Sequence, residues 1–208
     1  MNGYIIAIDG PDGVGKSTQA ELLRKYLVGK GHKVHFTRAS GGTPIGEELR
    51  RASLSHHPRP VETDLHISLA MQTALGFDLQ KRKKAGEVIV VDRSPLAIVA
   101  YQVYGNQLKP ESDGFDACEK MLRIWGIDTL FVLEAPQPVL DDRRKKRLKD
   151  SDYFEDQPAD YHHRVQEGYR DAQAAVRKID LPMKTITIDA RPSAEIIHQN
   201  ILKHIPKN

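Results

Sequence analysis

The stretch Gly10-Pro-Asp-Gly-Val-Gly15-Lys16-Ser17 follows directly on the apolar run Tyr4-Ile-Ile-Ala-Ile8 and its closing Asp9. It fits the pattern GxxxxGK[ST] in the setting that pattern requires, with a buried strand before it and a helix after it. Glycines let the backbone curl so that successive N–H groups point inward at an anion. The helix that starts near Lys16 turns its positive end to the same place. In this arrangement Lys16 reaches the β- and γ-phosphates of a nucleotide, and the Ser17 hydroxyl holds magnesium. Gly10, Pro11, Asp12, Gly13, Val14, Gly15, Lys16, Ser17 and Thr18 are thus the predicted nucleotide-binding residues. An accidental glycine-rich turn is the alternative, and the order of strand, loop and helix argues against it.

Such a loop belongs in an α/β domain, and the rest of the chain alternates accordingly. Strand patterns lie at Tyr4–Asp9, Lys33–Arg38, Val88–Asp92, Thr129–Leu133 and Thr185–Ile188. Val88-Ile-Val-Val91 is apolar throughout, as a strand covered on both faces must be. Helices are predicted at about Gly15–Val28, Val61–Lys84, Ile98–Tyr104, Asp116–Trp125 and Ser193–His204, with a further one after the fourth strand. Between the second strand and the long helix the pattern shows only a turn, Ser40-Gly-Gly-Thr-Pro44. In the long helix Leu65, Leu69, Leu75 and Leu79 share one arc, and polar Gln72 falls inside it. The expectation is a single α/β domain over residues 1–208, built on a five-stranded, mainly parallel sheet with helices on both faces.

Composition closes off several other classes. No apolar run is long enough to span a bilayer, and the start lacks the charged region and cleavage pattern of a signal peptide. Cys118 is the single cysteine, so an intramolecular disulfide and a cysteine-rich zinc site are both excluded. These features predict a cytoplasmic protein with no membrane partner. Lys and Arg number 31 against 28 Asp and Glu, a net charge of +3. Six of the cations sit at Arg143, Arg144, Lys145, Lys146, Arg147 and Lys149, and without them the balance is 25 against 28, or −3. The basic character is therefore local, unlike the spread footprint of a nucleic-acid binder.

Loops of this pattern serve switches, motors and kinases alike. A guanine-nucleotide switch needs an NKxD-type base reader, and no such tetrapeptide occurs. A small-molecule kinase needs an anchor for a second phosphate and a basic lid, and both are available. Asp92 and Arg93 end the third strand, on the edge where open α/β sheets bind ligands. The acid can orient a magnesium shell, and the arginine can grip a phosphate through two N–H groups. A charge run is usually a solvated helix face. Within the 143–149 block, Arg143 and Arg147 stand four apart on one face and form the predicted functional pair.

Taken together, these segments resemble the thymidylate kinase family of nucleoside monophosphate kinases, and the likeness covers nearly the whole chain. Asp9-Gly-Pro-Asp12-Gly-Val-Gly-Lys-Ser-Thr18 is similar to that family's loop, including its internal aspartate. Thr37-Arg38-Ala-Ser-Gly-Gly-Thr-Pro-Ile-Gly-Glu47 resembles its TREPGGTPIGE segment. Asp92-Arg93 with Ala100-Tyr101-Gln102 resembles DRY and AYQ at matching spacing. Asp152-Tyr-Phe-Glu155 and Val165-Gln-Glu-Gly168-Tyr169 resemble the lid DRFE and the VREGY helix, and Ile188-Asp189-Ala190 resembles the terminal IDA turn near the ATP base.

The resemblance implies a P-loop kinase fold with a lid at about 143–157. It also implies ATP and Mg2+ as cofactors, a homodimer, and transfer to a deoxynucleoside monophosphate, with dTMP the leading acceptor. Arg38 and Arg93 would hold the acceptor phosphate. Asp12 would sit between the acceptor sugar and the metal-bound phosphates, and Tyr101 would pack on the deoxyribose. Ser17 and Asp92 are the expected metal-side residues, Arg143 and Ala190 the expected ATP contacts beyond the loop. Glu155 would position the lid and Arg147 serve as its cation.

The chain also departs from the family pattern. Ala39 and Ser40 replace a glutamate and a proline, and Ser94 replaces the aromatic residue after the DR pair. Ser68 and Gln72 stand where the family places a base-stacking phenylalanine and a thymine-reading arginine. The phosphate machinery matches more fully than the base pocket, and weaker discrimination among bases is expected. Asp-Arg-Ser is also similar to the ERS motif of deoxynucleoside kinases, the second reading. Those enzymes need a carboxylate base near the end of the second strand, where this chain has Arg38-Ala39. A nucleotide-dependent nucleic-acid binder using the 143–149 block is the third, and it lacks interleaved aromatic residues.

Overall fold

The computed structural model describes residues 3–108, 113–146, 153–154 and 156–206. Strands β1 (Tyr4–Asp9), β2 (Val34–Arg38), β3 (Val88–Asp92), β4 (Thr129–Glu134) and β5 (Lys184–Asp189) form one sheet in the order β2-β3-β1-β4-β5. Every neighbouring pair is parallel. The register sets Arg38 beside Asp92 and Asp92 beside Ile8, so three strands finish level at their carboxyl ends. From central β1 the chain passes out to β2, while β4 lies on β1's other flank. The crevice above this reversal is where open parallel sheets bind ligands.

Eight helices surround the sheet among the described residues: α1 (Lys16–Gly29), α2 (Pro44–Leu54), α3 (Val61–Lys84), a π-helix (Ile98–Gly105), α4 (Gly114–Trp125), α5 (Gln137–Lys145), α6 (Ala159–Val176) and α7 (Ala194–Leu202). On one face α3, α4, α6 and the π-helix bury Leu75, Leu79, Trp125 and Tyr169 against Ile5 and Ile89. On the other, α1 and α7 bury Leu23, Leu27 and Ile201 against Ile6, Val90 and Phe131. Each such side chain taken fully out of water contributes about 1.5–3 kcal/mol. Gly168 lets α6 lie directly on the π-helix, because a Cβ there would meet Ala100 Cα at 2.7 Å.

The turn expected at Ser40–Pro44 runs directly into helix α2, which the sequence pattern does not show. Thr43 caps it by accepting the Gly46 N–H at 3.0 Å, Pro44 occupies its first turn, and Glu47 favours the same end. The helix expected at Ile98–Tyr104 is a π-helix, closed by Asn106 N–H donating to Tyr101 O, five residues back, at 2.9 Å. Helix α5 ends at Lys145, so the described helix does not carry Arg143 and Arg147 together. Arg147 and Glu155 lie outside the described residues, as does much of the expected lid. No described helix is long and apolar enough to cross a membrane.

Candidate active site

The loop between β1 and α1 takes its shape from glycine. Gly10 has φ 139°, and a Cβ on it would sit 2.4 Å from Leu133 O. Gly15 has φ 101° with open space above it, where an anion can approach the backbone. Val14 is buried beneath the loop, and Ser17 and Thr18 are exposed at the start of α1. Lys16 folds back over the loop, its Nζ donating to Pro11 O at 3.0 Å and to Asp12 Oδ1 at 3.3 Å.

Asp12 is the meeting point of the site. Arg93 Nη2 donates to its Oδ1 at 2.5 Å, and the Tyr101 hydroxyl donates to its Oδ2 at 2.6 Å. The Arg93 guanidinium also lies 4.8 Å from the Tyr101 ring centre, and its Nη1 donates to Tyr169 Oη at 3.4 Å. Burial by itself would push the Asp12 carboxyl up, but Arg93 and Lys16 outweigh it and hold the group well below the usual carboxylate range. Burial and the neighbouring Arg93 push the Lys16 ammonium down. Burial works against the charged form of Arg93 as well, and Asp12, with Tyr101, Tyr169 and Asp9 behind it, outweighs that cost. Arg93 reaches this position from a left-handed backbone, φ 78°, immediately past the end of β3.

Beneath this cluster, Asp9 receives N–H from Gly10 and hydroxyl hydrogen from Tyr169 on Oδ1, both at 2.8 Å. Ser94 donates to Asp9 Oδ2 through both its N–H and its Oγ, at 2.8 and 2.6 Å. Ser94, a departure from the family pattern, therefore has work of its own. It ties the end of β3 to the foot of the phosphate loop.

Asp12, Arg93, Tyr101 and Ser68 line one cavity of about 90 Å3, together with Ser40, Arg50, Met71, Gln102 and Phe154. Gln72, expected on this wall, stands one layer behind it, 1% exposed, with Nε2 donating to Ser68 Oγ at 3.3 Å. Its backbone oxygen accepts from Trp125 Nε1 at 2.9 Å, which pins α3 to α4 at that point. Arg38 is not in this cavity. It lines a neighbouring open depression with Ser17 and Asp92, and its Nη2 donates to Glu47 Oε2 at 2.8 Å. Arg143 Nη1 and Nη2 donate to Val14 O and Arg191 O, each at 3.4 Å, so this side chain bridges the loop and the turn after β5. Ala190 is fully buried in that turn, its N–H donating to Glu134 O.

The donor set on the Ser17 side fits a hard cation. Asp92 Oδ1 is sealed from solvent and has no hydrogen-bond partner, and Ser17 offers a hydroxyl in the same depression. Magnesium takes one or two protein oxygens of this kind and completes its shell with water and phosphate. No group of three or more metal-ligating side chains occurs among the described residues.

Arg50 is a cavity residue that the sequence pattern does not point to, and Gln102 figures in that pattern only as part of the Ala100-Tyr101-Gln102 segment, with no role of its own. Arg50 rides on α2, and its Nη1 donates to Ser40 O at 2.8 Å. The Thr43-Pro44 cap was the available signal for that helix. Gln102 enters through the π-helix, whose wide turn lets adjacent Tyr101 and Gln102 both face the cavity.

A phosphate loop at the reversal of a parallel sheet, facing an arginine-bearing second cavity across one shared aspartate, is the architecture of a P-loop nucleoside monophosphate kinase. The thymidylate kinase family model matches residues 8–201. Thymidylate kinase of Gluconobacter oxydans (strain 621H) is 33% identical over 98% of this chain and 94% of its own length. Those of Exiguobacterium sp. (strain ATCC BAA-1283 / AT1b) and Thiobacillus denitrificans (strain ATCC 25259 / T1) are 31% and 30% identical, each over 98% of this chain. The chain belongs to the thymidylate kinase family.

Proposed function

We propose that the cleft transfers the γ-phosphoryl group of ATP to the 5′-phosphate of a deoxynucleoside monophosphate, dTMP foremost, giving dTDP and ADP. The observation that carries this reading is the placing of Asp12 between Lys16 on the loop side and Arg93 and Tyr101 on the cavity side. The two substrates then meet end to end across a single carboxylate.

Arg93 holds the acceptor phosphate from the cavity side, and Arg38 lies at the rim of the depression beside Ser17. An acceptor that is already a phosphate needs cations rather than a general base. Its oxygen forms the new P–O bond as the bond to the β-phosphate oxygen breaks, and ADP leaves. Lys16 follows the transferred group and opposes the charge spread over its equatorial oxygens. Asp12 holds both cations on one carboxylate oxygen and so fixes their aim, and the Tyr101 ring packs on the deoxyribose. Arg143 braces the loop from the ATP side, and Arg147 is the further lid cation. Ser17 and Asp92 would hold magnesium, which neutralises phosphate charge when bound.

The same reading places the enzyme in the cytoplasm, where its nucleotides are, and pairs it as a homodimer. Phe77, 68% exposed midway along α3, is the kind of apolar side chain that a second subunit covers. The test is ADP release with ATP and magnesium against a panel of nucleoside monophosphates and nucleosides. dTMP should be the best acceptor, and turnover of thymidine but not dTMP would overturn the assignment.

A further inference from the structure

Four side chains away from the reacting groups form one hydrogen-bonded line that ends at the first cavity. At its far end Arg59 Nε donates to Asp64 Oδ1 at 2.5 Å, the two side chains being 10% and 2% exposed. The other N–H groups of Arg59 go to the carbonyls of Ser53, Ser55 and His57, which fixes the pair in place. Asn106 Nδ2 donates both to Asp64 Oδ2 at 3.4 Å and to Gln102 Oε1 at 2.9 Å. Gln102 is 5% exposed and forms part of the cavity wall.

A carboxylate paired with arginine can only accept, so the amide of Asn106 must turn its amine to Asp64. The same amine faces Gln102, which answers with its oxygen and is left with Nε2 for the cavity. Two neutral amides alone could flip together and keep their mutual hydrogen bond. The charge on Asp64 removes that freedom. Across the cavity, Ser68 Oγ accepts from Gln72 Nε2, leaving the serine hydrogen free to donate as well.

We propose that Asp64 is a positioning residue for acceptor choice. Through Asn106 it presents Gln102 as a donor, so that the site selects bases with a carbonyl on the edge facing it. Thymine, uracil and guanine meet that requirement, whereas the amino groups of cytosine and adenine point a second donor at the first. The inference rests on the cavity being the acceptor site, and it assigns base discrimination to the π-helix side where α3 carries Ser68 and Gln72.

The experiment compares kcat/KM for dTMP and dCMP in the wild type, the exchange variant Asp64→Asn with Asn106→Asp, and Asn106→Ala. In the exchange variant a carboxylate faces Gln102, which must offer its amine there and turn its oxygen to the cavity. The dTMP-to-dCMP ratio should fall at least tenfold, because an unmatched buried polar pair discriminates at that scale or above. Asn106→Ala leaves the Arg59–Asp64 pair whole and frees the Gln102 amide, so it should lose part of the same ratio even if the exchange variant does not fold. Loss of stability alone would lower both acceptors together and leave the ratio where it was. An unchanged ratio in folded Asn106→Ala overturns the proposal. A wild type that phosphorylates no deoxynucleoside monophosphate instead overturns the assignment of function, a distinguishable result.

Discussion

Replacing Asp12 with asparagine keeps the shape of the side chain and removes its charge. In the native site this carboxylate accepts from Arg93, Lys16 and Tyr101 at once. Lys16 and Arg93 both bond Oδ1 while Tyr101 bonds Oδ2, so asparagine can keep one oxygen on the cations and turn its amine to the Tyr101 hydroxyl, but it carries no charge to neutralise them. The side chains of Lys16, Asp12 and Arg93 are 7%, 10% and 24% exposed. Breaking a buried ion pair costs about 3–5 kcal/mol, and the partial exposure of Arg93 puts this site at the lower end, about 3 kcal/mol. For a chain of this size that is a fall in Tm of roughly 6–12 °C. ATP should recover much of it. A ligand at a hundred times its Kd adds about 2.7 kcal/mol, and the gain should be larger in the variant because Asp12 no longer repels phosphate.

Thermal unfolding with and without ATP, in the absence of magnesium, measures both effects. Because Arg93 and Lys16 hold the Asp12 carboxyl low, its stabilisation is present above the ordinary value of 3.8 and is lost only as pH falls below that. The gap between wild type and variant should therefore stay level from pH 8 to pH 5. A drop in Tm under roughly 2 °C, or a gap that narrows across that window, would refute the argument that Asp12 holds the two cations.

Lys16→Ala should lower kcat by at least ~10²-fold with folding intact, since it deletes charge aimed at the transferring group. Normal ADP release from the folded variant would dispose of the loop mechanism. Arg93→Met should reduce kcat/KM for the acceptor far more than it raises KM for ATP, and equal losses on both substrates would place Arg93 elsewhere. Burial, with Arg82 nearby, pushes the imidazole of His35 on β2 below its ordinary value of 6.5, and burial does the same to His198. The unfolded chain then binds more protons below that value, so Tm should fall as pH drops from 7.5 to 5.5. His35→Gln should flatten part of that slope, and an unchanged slope would show that other groups cause it.

The sheet and the phosphate loop were legible because each has a local cause. An apolar run with no polar break can only be a covered strand, and GxxxxGK[ST] dictates its own turn. β3 and α3 fall at the expected residues, Val88–Asp92 and Val61–Lys84. Helix α2 escaped because its glycines and proline read as a turn until the cap at Thr43 is weighed. The wide turn at Ile98–Gly105 left no trace in hydrophobic spacing, since almost every residue in it is buried. Gln72 sat correctly on the inward arc of α3. Which inward residue reaches the cavity depends on the neighbouring Trp125, and no pattern within α3 contains that. The pairing of Asp64 with Arg59 and Asn106 joins three segments, and periodicity within one segment cannot register it.

The left-handed backbone at Arg93 has a consequence for how such a chain can change. A side chain at φ 78° costs of order 1–3 kcal/mol that glycine would not incur. Glycine at 93 would relieve that strain and leave the buried Asp12 carboxylate without its principal cation, a loss of about 3–5 kcal/mol that outweighs the relief. The fold therefore holds arginine at this position as firmly as the chemistry does. A lineage freed from catalysis would have to change residues 12 and 93 together to gain from losing it.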